Sequence, residues 1–292
     1  MPAVNIGSTR VGEGEPTYLI AEIGINHNGS LENAIKLIDN AKAAGFDAVK
    51  FQKRTVDVVY TEAELNTPRE SVFGKTNGDL KRGLEFSLTQ YESIAMHCQR
   101  VGIQWFASPW DEASVDFLEE LEVVAHKVAS ASLTDKGLLQ RLASTGKTIL
   151  LSTGMSNLEQ IARAVAILDH KKLILLHTVS TYPAVDSDLN LSALETLKNS
   201  FPEIPVGYSG HEVGVLPSLI AVAKYGAVCV ERHVTLDRAS WGSDQAASLE
   251  LPGMVKLARD IREIPKLIGN GKKEILEKEI PIMKKLRRVD SI

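Results

Sequence analysis

The stretch YLIAEIGINHNGSLENAIKLIDNAKAAGFDAVKFQ, residues 18–52, contains the pattern that decides the fold. Apolar runs at 18–24 and 47–52 have the length and composition of buried strands. The residues between them, 31–44, place apolar side chains with the period of an amphipathic helix. The stretch therefore predicts a strand, a helix and a second strand, which is the repeating unit of parallel sheets.

The same unit recurs along nearly the whole chain. Further strands are predicted at 103–108, 126–130, 148–153, 173–178, 204–209 and 227–233. Further helices are predicted at 88–100, 112–120, 135–145, 157–168, 190–199, 214–225 and 252–268. Helices are followed by a glycine that suits a left-handed C-cap at Gly45, Gly102, Gly146 and Gly226. Eight strands alternating with eight helices predict an α/β fold, the closed (β/α)8 TIM barrel.

An open, doubly wound parallel sheet is the alternative arrangement of these elements. The turn after the first strand reads GINHNGS, which lacks the G-x-G-x-x-G signature of a dinucleotide-binding sheet. It offers Asn28 or Ser30 as the N-cap of the following helix instead. The turn therefore favours the barrel.

The remaining segments are assigned around this barrel. We expect residues 1–292 to form one catalytic domain. Residues 1–15 predict an N-terminal β-hairpin, carried by VNIGSTRVG at 4–12, that covers the bottom of the barrel. Residues 53–85 form the longest irregular stretch, which makes them a candidate active-site loop, and residues 269–292 form a C-terminal tail.

The composition limits the kinds of partner. A net charge of −4 without a long basic run argues against a general nucleic-acid binder. No stretch reaches the roughly 18 apolar residues that span a bilayer, and the N-terminus lacks a signal-peptide pattern. Cys98 and Cys229 fall in a predicted helix and a predicted strand, so we expect free thiols. Together these features predict a cytoplasmic protein with no nucleic-acid or membrane partner.

Polar and charged residues cluster where the predicted strands end. In barrels of this type the catalytic groups lie at the carboxyl ends of the strands, which meet on one rim. Charged residues are rarely buried unless they are paired or bind a ligand. The residues expected on the rim are Glu22, Lys50, Gln52, Ser108, Lys127, Ser130, Ser132, Ser152, Thr153, His177, Ser180, Ser209, His211, Glu231 and His233. This density predicts a binding site at the barrel mouth.

The lysines in this set indicate the charge of the ligand. Lys50 and Lys127, on strand ends expected to be neighbours and ringed by serines, suit a small dianion such as a phosphate ester. The alternative is that they pair with Glu22 or Glu231 and bind no ligand.

The histidines indicate a metal. His211 and His233 end adjacent strands, so two imidazoles would meet over the mouth and hold Mn²⁺, Fe²⁺, Co²⁺ or Zn²⁺. A hydrogen-bonded structural role is the alternative for both. We expect that structural role for His177, whereas His27 in the first turn is compatible with either role.

Taken in order, these residues resemble the sialic acid synthase family of phosphoenolpyruvate-dependent condensing enzymes. The resemblance implies a transferase that joins phosphoenolpyruvate to an aldehyde sugar, an N-acyl hexosamine such as N-acetylmannosamine, giving a nonulosonic 2-keto acid and phosphate. The segments that carry it are AEIGINHNGS (21–30), AVKFQ (48–52), KVAS (127–130), LSTGM (151–155), STYP (180–183), YSGH (208–211), ERHVT (231–235) and GSDQAASLE (242–250).

The resemblance also implies a role for each matching residue. The catalytic residues would be Glu22, Lys50, Lys127, His211 and His233. Phosphoenolpyruvate would be bound by Lys50, Lys127, Ser130, Ser152, Ser180 and Ser209, and the sugar by Glu22, Gln52, Tyr182 and Asp244. A divalent metal, Mn²⁺ or Mg²⁺, would be ligated by His211 and His233 and would polarise the aldehyde. Because both imidazoles must be neutral to ligate, we expect activity to fail as the pH drops towards 6.

Two features depart from the family. Where the family reads Ser-Gly-Glu, this chain reads Ser130-Ala131-Ser132, so Ser132 would contact the substrate in place of a carboxylate. The family's C-terminal antifreeze-like domain, which supplies an arginine to the partner's site, is expected to be missing from this chain. Arg287 or Arg288 would then replace that arginine, or a separate chain would supply the domain. The resemblance still implies a homo-oligomer, a dimer or higher.

Other functions are compatible with the same residues. The first is a phosphoenolpyruvate-dependent 3-deoxy-2-ulosonate synthase that acts on a non-aminated or phosphorylated sugar. The second is a metal-dependent aldolase that uses pyruvate and releases no phosphate. The third is a non-catalytic protein that binds a sugar or phosphoenolpyruvate.

Overall fold

The computed structural model describes residues 2–289 and contains a closed barrel of parallel strands. The strands are β1 (Ala3–Ile6), β2 (Thr9–Gly12), β3 (Tyr18–Gly24), β4 (Ala48–Lys53), β5 (Pro68–Ser71), β6 (Gly74–Thr76), β7 (Gln104–Pro109), β8 (Ala125–Val128), β9 (Thr148–Ser152), β10 (Leu173–Thr178), β11 (Val206–Gly210) and β12 (Cys229–His233). The barrel order is β3, β4, β7, β8, β9, β10, β11 and β12. The predicted TIM barrel is confirmed.

Helices connect the barrel strands and cover the outside. They are α1 (Leu31–Ala44), α2 (Val56–Val59), α3 (Glu62–Leu65), α4 (Asn77–Leu84), α5 (Leu88–Val101), α6 (Glu112–Glu120), α7 (Lys136–Ser144), α8 (Leu158–Val165), α9 (Ala193–Ser200), α10 (Leu216–Ala223), α11 (Leu251–Ile268) and α12 (Ile280–Leu286). The apolar faces of α1 and of α5 to α11 pack on the strands in one continuous core. Ser30, rather than Asn28, caps α1 by accepting a hydrogen bond from the Asn33 N–H at 3.2 Å.

The barrel closes through the first and last of its strands. β12 pairs with β3 in parallel, and the register places His233 opposite Glu22. On the other side of β3, Glu22 pairs with Lys50 of β4. Three of the residues that the sequence assigns to the site are therefore brought side by side by strand pairing alone.

The N-terminal hairpin lies under the barrel, as predicted. β1 and β2 pair in antiparallel, and Ile6 and Val11 are fully buried. The Thr148 hydroxyl, at the start of β9, donates to the Asn5 carbonyl at 2.7 Å. Gln104 Nε2, at the start of β7, donates to the Ile6 carbonyl at 3.2 Å. The hairpin therefore covers the amino-terminal ends of the strands, opposite the candidate site.

The segment 53–85 is more regular than expected. It contains α2, α3, the β5–β6 hairpin and α4. Thr61 with Glu64, and Thr76 with Asp79, form capping boxes at the starts of α3 and α4. The prediction of an irregular loop was wrong because these helices are too short for a hydrophobic period to reveal, although the Thr-x-x-Glu signal of the first box is visible in the sequence.

The tail lies mostly in solvent. α12 follows a short 3-10 turn at Glu277–Glu279, and the side chains of both are mostly exposed. The last residues of the predicted tail, 290–292, are outside the described residues. Among the helices of residues 2–289, none combines the length and the apolar character needed to cross a membrane.

His27 has a structural role in the β3–α1 turn. It is buried, its ring stacks on Phe86 at 4.1 Å between centroids, and its Nδ1 accepts the Gly29 N–H at 3.0 Å. Burial lowers the pKa of His27 to about 3. The folded protein therefore keeps this imidazole neutral at pH values where the unfolded chain protonates it.

This difference predicts acid sensitivity of the fold. Because the folded pKa is depressed, the stabilisation is complete above about pH 6.5 and is lost as the pH falls towards 3, by up to about 1.4 kcal/mol per pH unit. His27→Asn keeps an acceptor for the Gly29 N–H and removes the titrating ring. We expect urea unfolding between pH 4.5 and 6.5 to show a shallower pH slope for this variant. The exposed His170→Asn is the control, and an unchanged slope in His27→Asn would contradict the assignment.

Candidate active site

A cavity of about 280 Å³ opens at the carboxyl ends of the barrel strands. This volume lies near the lower limit for small-molecule sites, roughly 300 Å³. The cavity is lined by Glu22, Lys50, Gln52, Ser108, Trp110, Lys127, Ala129, Ser130, Ala131, Ser152, Met155, Thr178, Ser180, Tyr182, Ser209, His211, Glu231 and His233. Most of the residues predicted from the strand ends are thus brought together in one cavity.

Four buried charges form the floor of this cavity. Lys50 Nζ lies 3.0 Å from a Glu22 carboxylate oxygen and 3.5 Å from Glu231 Oε1. Lys127 Nζ lies 3.3 Å from the same Glu231 oxygen, which also accepts a hydrogen bond from the Ser209 hydroxyl at 3.0 Å. Each of these four charged side chains is at most 4% exposed. Lys50 and Lys127 are not on neighbouring strands as expected, because β7 lies between β4 and β8, but they meet at Glu231.

The four charges shift one another's ionisation. Burial disfavours a charged Lys50, but Glu22 and Glu231 outweigh it and raise the pKa of Lys50. Burial and the adjacent Lys50 lower the pKa of Lys127 to about 8, against the opposing attraction of Glu231. The pKa of Glu231 lies well below its usual range, because the two ammonium groups outweigh burial. At neutral pH Glu231 is therefore a carboxylate between two cations.

The two lysines differ in their remaining donors. An ammonium has three N–H groups. Those of Lys50 face Glu22, Glu231 and the Ser108 hydroxyl, which accepts at 3.0 Å. In the described part of the chain, Lys127 has Glu231 as its one polar partner. The arrangement combines the two predicted alternatives: both lysines pair with glutamates, and Lys127 still has donors for an anion.

Serine hydroxyls form part of the wall of the cavity that contains Lys127. The Ser180 Oγ is buried and has no hydrogen-bond partner within residues 2–289. An ideal Cβ on Gly154 would lie 2.3 Å from this oxygen and 2.7 Å from Ser130 Oγ. Ser152 Oγ accepts from Thr178 at 3.2 Å. Gly154 therefore leaves the space in which these hydroxyls can turn towards an anion.

His211 and His233 form a pair at the same mouth. Their ring centroids are 5.3 Å apart, and Tyr182 packs on His211 at 4.1 Å. His211 Nδ1 lies 2.7 Å from the Val179 carbonyl oxygen, so Nδ1 carries the proton and donates it to this carbonyl. The other ring nitrogen, Nε2, then has the lone pair that a cation can bind. The buried His233 Nδ1 has no hydrogen-bond partner among the described residues.

This donor set fits a divalent cation with few protein ligands. The described residues contain no group of three or more histidine, cysteine, aspartate or glutamate side chains that could hold a metal. Two imidazoles beside an open cavity nevertheless suit a cation that takes its other ligands from water and substrate. Burial and the neighbouring His233 lower the pKa of His211 to about 3, so His211 gives no physical reason for the activity loss expected near pH 6.

The residues predicted to contact the sugar lie at different depths. Gln52 Nε2 donates to Glu22 Oε1 at 2.8 Å, and both line the cavity. Asp244 lies outside the lining, but its carboxylate is 3.6 Å from His233 Nδ1. Ser132 is buried in the turn after β8 and does not line the cavity, so the prediction that it contacts the substrate is not supported.

Burial and contacts also locate His177 and the two arginines of the tail. His177 Nε2 is bonded to the Leu189 carbonyl at 2.7 Å, which is the structural role predicted for it. Arg287 and Arg288 lie in the exposed tail, outside the lining of this cavity. A second cavity, of about 780 Å³, lies between the β5–β6 hairpin, α4 and Trp241, and contains none of the predicted site residues.

Sequence reasoning missed Trp110 and Met155 in the lining. Trp110 comes directly after β7, and the Arg54 guanidinium, directly after β4, stacks on its ring at 4.3 Å. The Trp110 Nε1–H is buried and has no partner within residues 2–289, which makes it a donor available to a ligand. Each lies two residues past the predicted end of its strand, so extending the rim prediction by two residues would have found both.

Comparisons with known proteins agree with this geometry. The NeuB family profile matches residues 37–273. The N-acetylneuraminate-9-phosphate synthase of Homo sapiens is 38% identical over 280 residues, which cover 94% of this chain and 78% of that protein. The N,N'-diacetyllegionaminic acid synthase of Legionella pneumophila is 35% identical over 286 residues, covering 93% and 78%. The crystal structure of the sialic acid synthetase of Leptospira borgpetersenii superposes with a TM-score of 0.84 at 34% identity, covering 98% of each chain.

The serine wall generates the first prediction for the site. In Gly154→Ala the new methyl group would displace the Ser130 and Ser180 hydroxyls. Losing a hydrogen bond to a charged ligand costs about 1.5–3 kcal/mol, so we expect phosphoenolpyruvate to bind roughly ten- to a hundredfold more weakly by calorimetry. Gly137→Ala in α7, where the methyl meets the end of the flexible Glu112 side chain, is the control. Unchanged affinity in Gly154→Ala would exclude these hydroxyls from the anion site.

The second prediction concerns pH. With a pKa of about 8, Lys127 loses its charge as the pH rises through 8. Binding of phosphoenolpyruvate should then weaken by up to about tenfold per pH unit. Lys127→Arg keeps its charge throughout this range and should flatten the profile between pH 7 and 9.5, even if binding is weaker overall. Lys147→Arg, on the outer surface beside Glu119, is the control. If binding by Lys127→Arg declined with pH as it does in the unmodified protein, the decline would belong to another titrating group.

Proposed function

Because the chain belongs to the NeuB family, we propose that it joins phosphoenolpyruvate to an N-acyl hexosamine and releases a nonulosonic 2-keto acid and phosphate. The protein is an enzyme, a transferase that forms a carbon–carbon bond. The observation that supports the choice of substrates is the joint presence, in one cavity, of a buried lysine with remaining N–H donors, serine hydroxyls and a histidine pair.

The proposed reaction forms one carbon–carbon bond and breaks one carbon–oxygen bond. The methylene carbon of phosphoenolpyruvate bonds to the aldehyde carbon of the open-chain sugar, and the aldehyde oxygen takes up a proton. Water adds to carbon 2 of the former enol and gives up a proton. Phosphate leaves with the bridging oxygen and takes up the proton of the new carbon-2 hydroxyl, so the bond broken is carbon–oxygen and the product is a 2-keto acid.

The lysines and serines would position the enol phosphate. Lys127 would bind one anionic group directly through its remaining donors, and the Ser180 hydroxyl would add a short hydrogen bond. Glu231 would hold the two ammonium groups in place before the ligand arrives, so that little reorganisation accompanies binding. An arriving anion would also raise the pKa of Lys127 and keep it charged.

Other residues of the cavity lining would receive the sugar. Glu22 and Gln52 are already hydrogen-bonded to each other, and their remaining polar atoms would orient hydroxyl groups of the open chain. Part of the lining is apolar and is formed by Trp110, Ala129, Ala131 and Met155. These side chains suit the methyl of an N-acyl group, and the buried Trp110 N–H suits its carbonyl. This combination favours an N-acyl sugar over a non-aminated one.

The histidines would hold the cofactor. His211 and His233 would ligate a divalent cation, Mn²⁺ or Mg²⁺, which when bound would supply Lewis acidity to the aldehyde oxygen. Asp244 would orient His233 from behind, at the 3.6 Å separation of their polar atoms.

Phosphate release with a panel of aldehyde sugars tests the substrate. We expect release with N-acetylmannosamine or another N-acyl hexosamine, in the presence of Mn²⁺ or Mg²⁺. Faster release with non-aminated sugars, phosphorylated or not, would replace the proposed acceptor with that of a 3-deoxy-2-ulosonate synthase. Binding without release across the whole panel would contradict the reaction itself.

Removing one imidazole tests the cation site. In His233→Ala we expect metal-dependent turnover to fall at least a hundredfold, because one of the two protein ligands is lost. The far-UV circular dichroism should be unchanged, since the side chain faces the cavity. His170→Ala, on the exposed surface, is the control. Turnover near that of the unmodified enzyme in His233→Ala would remove the proposed metal role.

A further inference from the structure

Behind the histidine pair lies a fully buried ion pair that the proposed reaction does not use. Arg232 and Glu212 are both 0% exposed, and Arg232 Nη1 lies 2.9 Å from Glu212 Oε1. In β12 the side chains alternate, so Glu231 and His233 line the cavity whereas Arg232 points towards the helix layer. Arg232 therefore cannot contact a ligand in the cavity.

The Arg232 guanidinium holds the loop that starts with His211. Nη2 donates to the Glu212 carbonyl at 2.6 Å, and Nη1 donates to the Gly214 carbonyl at 2.7 Å and to the Ser218 hydroxyl at 3.0 Å. These bonds fix the backbone directly after His211. Since Arg232 itself directly precedes His233, one side chain connects the backbone at both histidines.

The Glu212 carboxylate completes the network. The Tyr208 hydroxyl, from β11, donates to Oε2 at 2.8 Å, and the Ser218 hydroxyl donates to Oε1 at 3.3 Å. An ideal Cβ on Gly210 would lie 2.5 Å from Oε2, so the end of β11 has room for this carboxylate only because residue 210 is glycine. The end of the strand that carries His211 is thus shaped around the pair.

The free energy of burying two charges argues against a role of Arg232 and Glu212 in stability alone. Removing two full charges from water has a desolvation cost that their mutual attraction often fails to recover, and well-packed apolar residues commonly replace such pairs without loss of stability. What apolar residues cannot reproduce is the fixed direction of the five hydrogen bonds of this network, two of which join Arg232 of β12 to the backbone that follows β11.

From this geometry we infer that Arg232 and Glu212 are positioning residues that hold the His211 and His233 imidazoles at the spacing needed to share one divalent cation. The inference rests on the proposed function in one respect, since it takes these histidines as cation ligands. The observed spacing between their ring centroids is 5.3 Å. Loss of partners behind metal ligands typically weakens metal affinity about ten- to a hundredfold.

Mn²⁺ titration followed by electron paramagnetic resonance of the free ion tests this without turnover. Arg232→Lys keeps the charge but cannot reach both carbonyls and the carboxylate at once. Glu212→Gln keeps the volume, and Arg232→Met with Glu212→Leu removes both charges. We expect about ten- to a hundredfold weaker Mn²⁺ binding in all three, with folded protein by circular dichroism. Arg262→Lys, whose partner Asp47 lies at the amino-terminal end of β4, should bind Mn²⁺ as the unmodified protein does.

The outcomes separate the two proposals. If the unmodified protein binds Mn²⁺ and folded Arg232→Lys binds it equally tightly, the positioning role is overturned while the cation site stands. If the unmodified protein fails to bind Mn²⁺, the cation site is overturned, and this inference with it. If all three variants fail to fold while Arg262→Lys folds, the network serves folding, which also overturns the positioning role.

Discussion

The Glu231 carboxylate, placed between two buried ammonium groups, is the constraint on which the site depends. Without it, Lys50 and Lys127 would be two like charges in a water-poor cavity, and one of them would lose its proton. With it, both remain close together, 3.5 Å and 3.3 Å from one oxygen. Only a rigid scaffold holds this arrangement, because each of the three side chains comes from a different strand of the barrel.

The fold was largely readable from the sequence, because it depends on short-range patterns. Apolar runs gave all eight barrel strands, with bounds within two residues of those observed. The glycines predicted after helices, such as Gly45 and Gly102, have the positive φ of a left-handed cap. Segment 53–85 escaped prediction because its helices and strands, of three to eight residues, are too short to show a period.

The site was readable as a set of residues but not as a network. Strand ends predicted that Lys127, Ser180 and His233 share one mouth, since parallel strands end on the same side. The sequence could not show that Lys127 retains free donors while Lys50 does not, because that depends on distances between strands far apart in the chain. The same reason explains Ser132, which lies next to the rim in sequence but turns into the protein after β8.

The pairing of β3 with β12 joins the first barrel strand to the last, and it also sets Glu22 opposite His233. During synthesis, β3 is made early, and its edge stays without a partner on that side until about residue 229 has been added. The nascent chain must therefore tolerate open strand edges for most of its length, a condition that favours aggregation. Since β12 also carries Glu231 and His233, the reactive centre is incomplete until this last strand closes the cylinder.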